Sequence, residues 1–416
     1  MKKFMFFALA SAAMLASCSS DDQIAVDESN VAADDPVAIQ IGVGQIASAT
    51  TRGTGTVGGT LTEGNVWAGE KFNLYMLKKG TMDLATKNNL NTELTADAIF
   101  NNSVFVAPNG TDKDYATPSD GKVYYYPASG VYDFWGYRLD GAEGTAEPTM
   151  TATDITIPFK IDGSEDILVA KAIPDDTDKD ASHLNGHVEY AYSAKAARKN
   201  VQPKMTFRHL LSRLKFTVAP GNESTADAAS PVVITAIKAK SAVNGTLTIA
   251  ATGDTDGSCQ AITWGTAVTD SALVEVMDRA AANTPVGPLA EVSLANKWTA
   301  GAGTYSPVGE ALLVSPSADD YELVVEGYQD IITDYDMTDP SNPVPSAWDH
   351  RTFSLALKAP APVDNTDPSA PVTGFQAGTS YNVQIIVYGL EQIKVYVTLT
   401  PWEEVTLEPI GGDEAL

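Results

Sequence analysis

Apolar and polar residues alternate with a period of two along much of this sequence. The alternation is clearest at residues 37–43, 321–326, 353–357, 383–387 and 393–400. Because successive side chains of a β-strand point to opposite faces, this pattern predicts half-buried strands. Turn-forming pairs such as Asn244 and Gly245 separate the runs. Helical periodicity is confined to two short candidates, residues 96–100 and residues 271–282.

The chain is long enough for more than one hydrophobic core. Roughly 400 residues follow the first seventeen, and single cores stop growing at about 250–300 residues. Basic residues cluster just before Pro203, and a new strand pattern begins at Met205. We therefore expect an all-β fold of two tandem β-sandwiches, one over residues 53–202 and one over residues 203–416.

The N-terminus has the pattern of a lipoprotein signal peptide. Two lysines precede an apolar run at residues 4–16, and its thirteen residues are fewer than the roughly twenty that span a membrane. Small residues then lead directly to Cys18. We expect residues 1–17 to be removed and Cys18 to carry several acyl chains, which would attach the precursor to the outer membrane. The alternative is an ordinary signal peptide beside an incidental cysteine.

The charge of the chain bears on its partners, and its cysteine content bears on disulfide bonding. The formal net charge of −26 at pH 7 leaves no basic surface of the kind that phosphate backbones require, so nucleic acid is not an expected partner. The acidic residues between Cys18 and Asp35 are typical of a solvated tether. After lipidation of Cys18 only Cys259 remains, so we expect no intrachain disulfide.

His209 is the strongest single candidate for a catalytic base or a metal ligand. It lies beside Phe207 and Leu210 in an amphipathic segment, which favours a structural histidine with a satisfied hydrogen bond. The remaining histidines and cysteines lack zinc-ligand spacing. No nucleophile elbow, phosphate-binding loop or dinucleotide fingerprint occurs in the sequence. We therefore predict neither an enzyme nor a bound cofactor.

One acidic segment partly resembles a calcium-binding loop. Asp176, Asp178 and Asp180 alternate as in the first half of an EF-hand loop. The glycine of that loop is replaced by Ala181, and its bidentate glutamate by His187. This departure favours a solvated acidic loop, with calcium binding left open as the alternative.

Short motifs follow one another in a distinctive order along the chain. They are a W-x-G-[DE]-K strand at 66–76, a Y-Y-P segment at 124–127 with a strand at 132–137, a D-[IL]-L-x-A strand at 166–170, an F-x-H-x-[LM]-[SA]-[KR]-[LV] segment at 207–216 and a C-terminal pattern at 375–381 and 401–402. Together they resemble the fimbrillin family, the pilin-like subunits of type V pili in anaerobic Gram-negative bacteria. The resemblance implies two transthyretin-like β-sandwich domains.

Arg52 is the only basic residue between Cys18 and Lys71. Threonines and glycines surround it, and proteases favour such flexible polar stretches. The family resemblance implies that a trypsin-like protease cuts after an arginine at this place and removes the first strand. We therefore predict cleavage between Arg52 and Gly53 by an Arg-specific protease. The alternative is an exposed loop arginine with no such role.

The strand at residues 37–43 would be lost with the removed segment, residues 18–52. Its apolar positions are Val37, Ile39, Ile41 and Val43. Their removal would leave an apolar groove with unpaired backbone groups, and such an edge pairs readily with another strand. A strand from a neighbouring subunit would fill it, and this head-to-tail contact can propagate into a filament.

The donor strand is expected after Trp402. Its apolar positions are Val405, Leu407 and Ile410, although Pro409 interrupts the strand pattern. The alternative is a frayed tail.

Taken together, the sequence predicts a stalk or accessory pilin of an adhesive surface fimbria. Its expected partners are other fimbrial subunits, an Arg-specific protease and, before processing, the membrane that holds its lipid. Two alternatives remain open. One is a basal fimbrial anchor that stays lipidated and uncut. The other is a lipid-anchored glycan-binding protein that presents tryptophans to sugar rings.

Overall fold

The computed structural model describes residues 36–44, 69–79, 99–108, 115–139, 147–279, 285–299, 301–364, 372–390 and 392–400. The fold is nearly all β, with 54% strand against 5% helix. The all-β prediction is therefore confirmed. Among the described residues, none of the helices has the length and apolar character needed to cross a membrane.

The strands are numbered in chain order. The first fourteen are β1 Gly42–Gly44, β2 Lys71–Lys78, β3 Phe100–Val106, β4 Thr117–Pro118, β5 Tyr132–Arg138, β6 Thr149–Met150, β7 Asp154–Lys160, β8 Leu168–Lys171, β9 Lys204–Thr206, β10 Arg208–His209, β11 Ser212–Pro220, β12 Val232–Ala242, β13 Asn244–Ala251 and β14 Ile262–Trp264. The others are β15 Ser271–Glu275, β16 Met277–Arg279, β17 Pro285–Pro288, β18 Val292–Ser293, β19 Trp298–Thr299, β20 Ala302–Gly303, β21 Ser306–Val314, β22 Tyr321–Asp336, β23 Val344–Ala359, β24 Val363–Asp364, β25 Val372–Thr373, β26 Ser380–Gly389 and β27 Gln392–Thr400. The helix α1 Ala194–Ala197 and the 3-10 turns Val188–Tyr190, Glu223–Ala226 and Val268–Asp270 complete the regular structure described.

A six-stranded antiparallel sheet lies between two hydrophobic cores. Its order is β10-β8-β5-β2-β3-β4. Alternate side chains of β2 pack into opposite cores. Phe72, Leu74 and Met76 pack in one cluster, whereas Tyr75 and Leu77 pack in the other. Both faces of this strand are therefore buried, as its run of apolar residues requires.

The larger core continues through three further sheets. Their orders are β14-β13-β7-β6, β21-β11-β26-β27 and β15-β12-β22-β23, and β18 also pairs with β12. Most neighbouring strands are antiparallel, but β11 and β26 run parallel, with Leu214 opposite Tyr381. Inward-facing residues such as Val218, Leu323 and Val383 share this core. The second half of the chain is therefore layered sheet on sheet.

Strand ladders cross the predicted boundary at residue 203. β1 pairs with β9, β8 with β10, and β7 with β13, where Phe159 lies opposite Gly245. The larger core likewise holds residues from both sides, including Trp135 and Leu214. The division into domains at residues 202 and 203 stays a prediction.

The helix predicted at residues 271–282 is wrong. β15 and β16 occupy much of that segment, and Val274 lies opposite Ala239 of β12. Val274 and Val276 are both buried, a spacing of two that fits a strand. Pairing with β12 therefore overrides the weak helical pattern. Phe100 begins β3 instead of ending a helix, and residues 96–98 lie outside the described residues.

Candidate assembly site

Residues 37–44, here called the N-terminal segment, lie between two stretches of the same chain. On one side, the Ile39 amide donates to the Tyr124 carbonyl at 2.9 Å and the Tyr126 amide donates to the Val37 carbonyl at 2.9 Å. Further along, the Ala116 amide donates to the Ile41 carbonyl at 2.8 Å. The segment is therefore bonded along this side to residues 116 and 124–126.

The opposite side of the N-terminal segment pairs with β9. The Gly42 amide donates to the Pro203 carbonyl at 2.9 Å. A parallel ladder follows, in which Val43 lies opposite Met205. Both backbone edges of the segment are thus engaged, so it is an inserted strand and not a surface edge.

Burial alternates along the N-terminal segment. Ile39 is 8% exposed and Ile41 is fully buried, whereas Gln40 between them is exposed. Val37 and Val43 are half-buried and pack against the same cluster. Two of the four apolar positions of the N-terminal segment are therefore buried and the other two are half-buried.

Gln202 bonds to the backbone of the N-terminal segment through both ends of its side-chain amide. Its Oε1 accepts from the Gln40 amide at 3.3 Å, and its Nε2 donates to the Ala38 carbonyl at 3.2 Å. The Tyr126 hydroxyl also donates to Oε1, at 3.3 Å. The side chain pairs with one donor and one acceptor of the segment, much as a residue of a neighbouring strand would.

Lys204 of β9 forms an ion pair with the acidic loop. Lys204 lies opposite Gly42 and contacts Asp175 and, at 3.7 Å, Asp178. Burial opposes ionisation of Asp175, but hydrogen bonds from Lys204 and the Asp178 amide hold its pKa below the ordinary value. The carboxylate therefore stays charged and fixes Lys204 beside the N-terminal segment.

The acidic loop differs in part from its prediction. Asp178 is buried and accepts from the Asp175 amide at 3.1 Å, whereas Asp176 and Asp180 are exposed. Within the described ranges, no group of three or more His, Cys, Asp and Glu side chains could hold a metal ion. Asp178 faces inward because it closes the turn and lies near Lys204.

His209 is a buried structural histidine. Its Nδ1 lies 2.6 Å from Oδ2 of Asp166, which is also buried. β10 places this histidine beside β8, with Leu168 opposite. Both side chains of the pair are buried.

Several predicted site residues lie outside the described residues. They are Cys18, Arg52, Gly53, Val405, Leu407 and Ile410. The structure brings together the four predicted strand positions of the N-terminal segment and adds Gln202 and residues 124–126. Residue 202 ends the first predicted sandwich, and no local signal in the sequence marks its contact with the N-terminal segment. The Y-Y-P motif at 124–127, which carries part of the family resemblance, lies on the other side of the N-terminal segment.

Comparison with known proteins gives one family. A model of the fimbrillin-like family matches residues 59–402. No curated protein matches the sequence. Solved structures with similarity include a proposed cell adhesion protein from Bacteroides uniformis, at 15% identity and a TM-score of 0.43 over 88% of this chain and 99% of that one. The fimbrial anchor protein Mfa2 from Porphyromonas gingivalis is 12% identical, with a TM-score of 0.32 over 88% of this chain and 99% of its own.

Proposed function

Because the chain belongs to the fimbrillin-like family, a family of structural and not enzymatic proteins, we propose that it is a stalk or accessory pilin. It would polymerise into an adhesive surface fimbria by donor-strand exchange. Family membership itself implies a place at the cell surface with other fimbrial subunits. The order of events and the residues involved belong to the proposal.

The observation that carries this proposal is the insertion of the N-terminal segment. Ile39 and Ile41 fill an apolar core, and both backbone edges of the segment are hydrogen-bonded. Burial of the two isoleucines contributes roughly 3–6 kcal/mol at about 1.5–3 kcal/mol each. If the segment were lost, that apolar surface and the freed backbone groups would face water. A new strand in the same place would restore both.

A single cut would empty the groove and separate the subunit from its lipid. Arg52 lies eight residues beyond Gly44, the last residue of β1. Cleavage between Arg52 and Gly53 leaves the N-terminal segment and the acylated Cys18 on the same released peptide. In this scheme the subunit leaves the outer membrane in the step that makes it competent to accept a strand.

The C-terminal tail is the proposed donor. β27 ends at Thr400, which is paired with Ser380, and sixteen residues follow. Val405 and Leu407 have the same spacing of two as Ile39 and Ile41. Sixteen residues in extended form reach about 53 Å, enough to cross into a neighbouring subunit.

Arg52→Ala tests the proposal directly. The wild-type protein on intact cells should begin at Gly53 and form polymers, whereas the variant should remain acylated and monomeric. Arg351→Ala, which removes an exposed arginine elsewhere, is the matched control and should be processed normally. N-terminal mass spectrometry and electron microscopy provide the measurements. Filaments formed normally by Arg52→Ala would refute the proposal.

The lipid site is checked separately. Cys18→Ala should abolish incorporation of labelled palmitate, and retained label would contradict lipidation at this cysteine. An acylated Cys18 at the N-terminus of assembled wild-type protein would instead favour the basal anchor. That alternative fits the filled groove, because an anchor would keep its N-terminal segment in place permanently.

The glycan-binding alternative depends on accessible tryptophans. Trp135 is fully buried and its indole N–H donates to Asp254 at 3.3 Å, so it cannot stack on a sugar. Trp348 is 51% exposed. Tight binding of polysaccharide by the monomer would favour this alternative.

A further inference from the structure

The hairpin of β22 and β23 extends beyond the sheet that carries it. The last residue of β22 paired with β12 is Gln329, opposite Val232. Beyond that point, β23 is the only described strand that pairs with β22. Residues 330–350, here called the arm, therefore form a two-stranded projection. The six remaining residues of β22 after Asp330 add roughly 20 Å of length.

The arm exposes an unusual amount of apolar surface. Its exposed large side chains are Tyr335, Met337, Val344 and Trp348, and they make up four of the thirteen such side chains in the described parts of the chain. Ile332 lies directly opposite Trp348 in the ladder, so the two share one face. Exposed apolar residues grouped in this way are typical of a binding surface.

The arm is also acidic. Asp330, Asp334, Asp336, Asp339 and Asp349 fall within its twenty-one residues, which include no lysine or arginine. Two of these carboxylates contact basic side chains at the base of the arm: Asp330 contacts His350 at 2.6 Å, and Asp349 contacts Arg351 at 2.8 Å. The negative charge therefore lies mainly toward the tip. Hydrogen bonds from Thr338 to Asp336 and from Ser341 to Asp339 hold the pKa of both carboxyl groups below the ordinary value. The arm therefore remains negatively charged across the physiological pH range.

The charge of the arm discriminates between the classes of molecule that could bind it. Nucleic acid and anionic membranes would be repelled by the carboxylates of the arm. A neutral glycan would gain nothing from the long-range field of the carboxylates near the tip. A cationic polypeptide would be attracted by that field and could place lysine or arginine side chains over the exposed rings.

We propose that the arm is a docking surface for a cationic polypeptide segment, with Trp348 as its central contact and Tyr335 beside the tip. Neighbouring aliphatic side chains on the partner would cover Ile332. This interaction needs only the folded monomer and does not depend on strand exchange.

The test uses the chain from residue 19 onward and a fluorescein-labelled decapeptide of alternating arginine and leucine. Fluorescence anisotropy at low salt should report binding that weakens as salt screens the arm. Trp348→Ala should weaken binding by about tenfold. Tyr396→Ala is the matched control because this tyrosine is similarly exposed, at 47%, but lies on β27; it should bind as the wild type does.

Circular dichroism and a thermal melt will establish that both variants are folded. Equal binding by Trp348→Ala and wild type would overturn the proposal, because the peptide would then be held by the acidic surface at large. Equal binding of an alternating glycine–leucine peptide would overturn the role of charge. Self-association that Trp348→Ala abolishes would assign the arm to a second copy, and retention on a neutral polysaccharide without peptide binding would assign it to a glycan.

Discussion

Glu165 is a buried carboxyl group whose protonation links folding to pH. Burial raises its pKa from 4.5 to about 7, despite a hydrogen bond from the Asp162 amide at 2.8 Å. The folded chain thus holds a proton that the unfolded chain releases near pH 4.5. Its contribution to stability is complete below pH 4.5 and is lost as the pH rises through 7. Wild type should therefore lose stability relative to Glu165→Gln between pH 5 and pH 8.

Urea unfolding at both pH values measures this difference. Glu322→Gln is a suitable control, since Glu322 is exposed and pairs with Lys240 on the surface. Its unfolding midpoint should follow that of the wild type at both pH values. If wild type and Glu165→Gln change in parallel, Glu165 is not the group that retains the proton.

Gln202 makes a second prediction at the residue scale. Gln202→Ala removes the side-chain partner of the Ala38 carbonyl and the Gln40 amide, and a partly exposed hydrogen bond of this kind contributes about 0.5–1.5 kcal/mol. The loss should lower the local opening free energy of the N-terminal segment and speed amide exchange at residues 39–42. Gln40→Ala removes only an exposed side chain and is the control. Unchanged exchange in Gln202→Ala would show that the backbone ladders alone hold the segment.

The structural role of a single residue could be predicted from the sequence only where that role depends on neighbouring residues in the chain. The inward positions Ile39 and Ile41 follow from alternation within their own strand. Gln202 acts on backbone groups more than 160 residues earlier in the chain. Such a contact depends on how distant strands meet, and the sequence around residue 202 carries no trace of it.

At the scale of elements, the N-terminal segment should contribute measurable stability. Ile41→Ala removes a fully buried side chain and should lower the free energy of unfolding by about 2–5 kcal/mol. Val43→Ala should cost less because Val43 is only half-buried. Urea unfolding of the uncut protein compares the two. A loss below that of Val43→Ala would mean that Ile41 does not fill the groove.

Strands with one buried face were predictable, and strands exposed on both sides were not. The alternation at 321–326 and 353–357 located β22 and β23, but each strand is sixteen residues long. The outer halves of β22 and β23 form the arm. Neither face of the arm packs on a core, so apolar residues are not required at every second position there. At 271–282 the pairing of β15 with β12 outweighed local propensity, which is why the predicted helix failed.

At the scale of the whole molecule, the two halves of the chain are joined by buried polar contacts. The Gln260 side chain donates to the carbonyls of Ala170 at 3.2 Å and Ile249 at 2.9 Å, which joins the loop after β13 to the six-stranded sheet. Together with the ladders across residue 203, this predicts one cooperative unfolding transition. Calorimetry should show a single peak. Two separated transitions would mean that residues 53–202 and 203–416 unfold independently.

The polarity of assembly gives the sharpest test of strand exchange. A variant lacking residues 403–416 should accept a strand after processing but have none to donate, whereas Arg52→Ala should keep its groove filled and its tail free. Each variant alone should remain monomeric. Mixed after processing, they should form a complex of one donor and one acceptor, because a head-to-tail contact needs one groove and one tail. Longer polymers in the mixture, seen by sedimentation or electron microscopy, would mean that another contact drives assembly, and a mixture that stays monomeric would exclude the tail as donor.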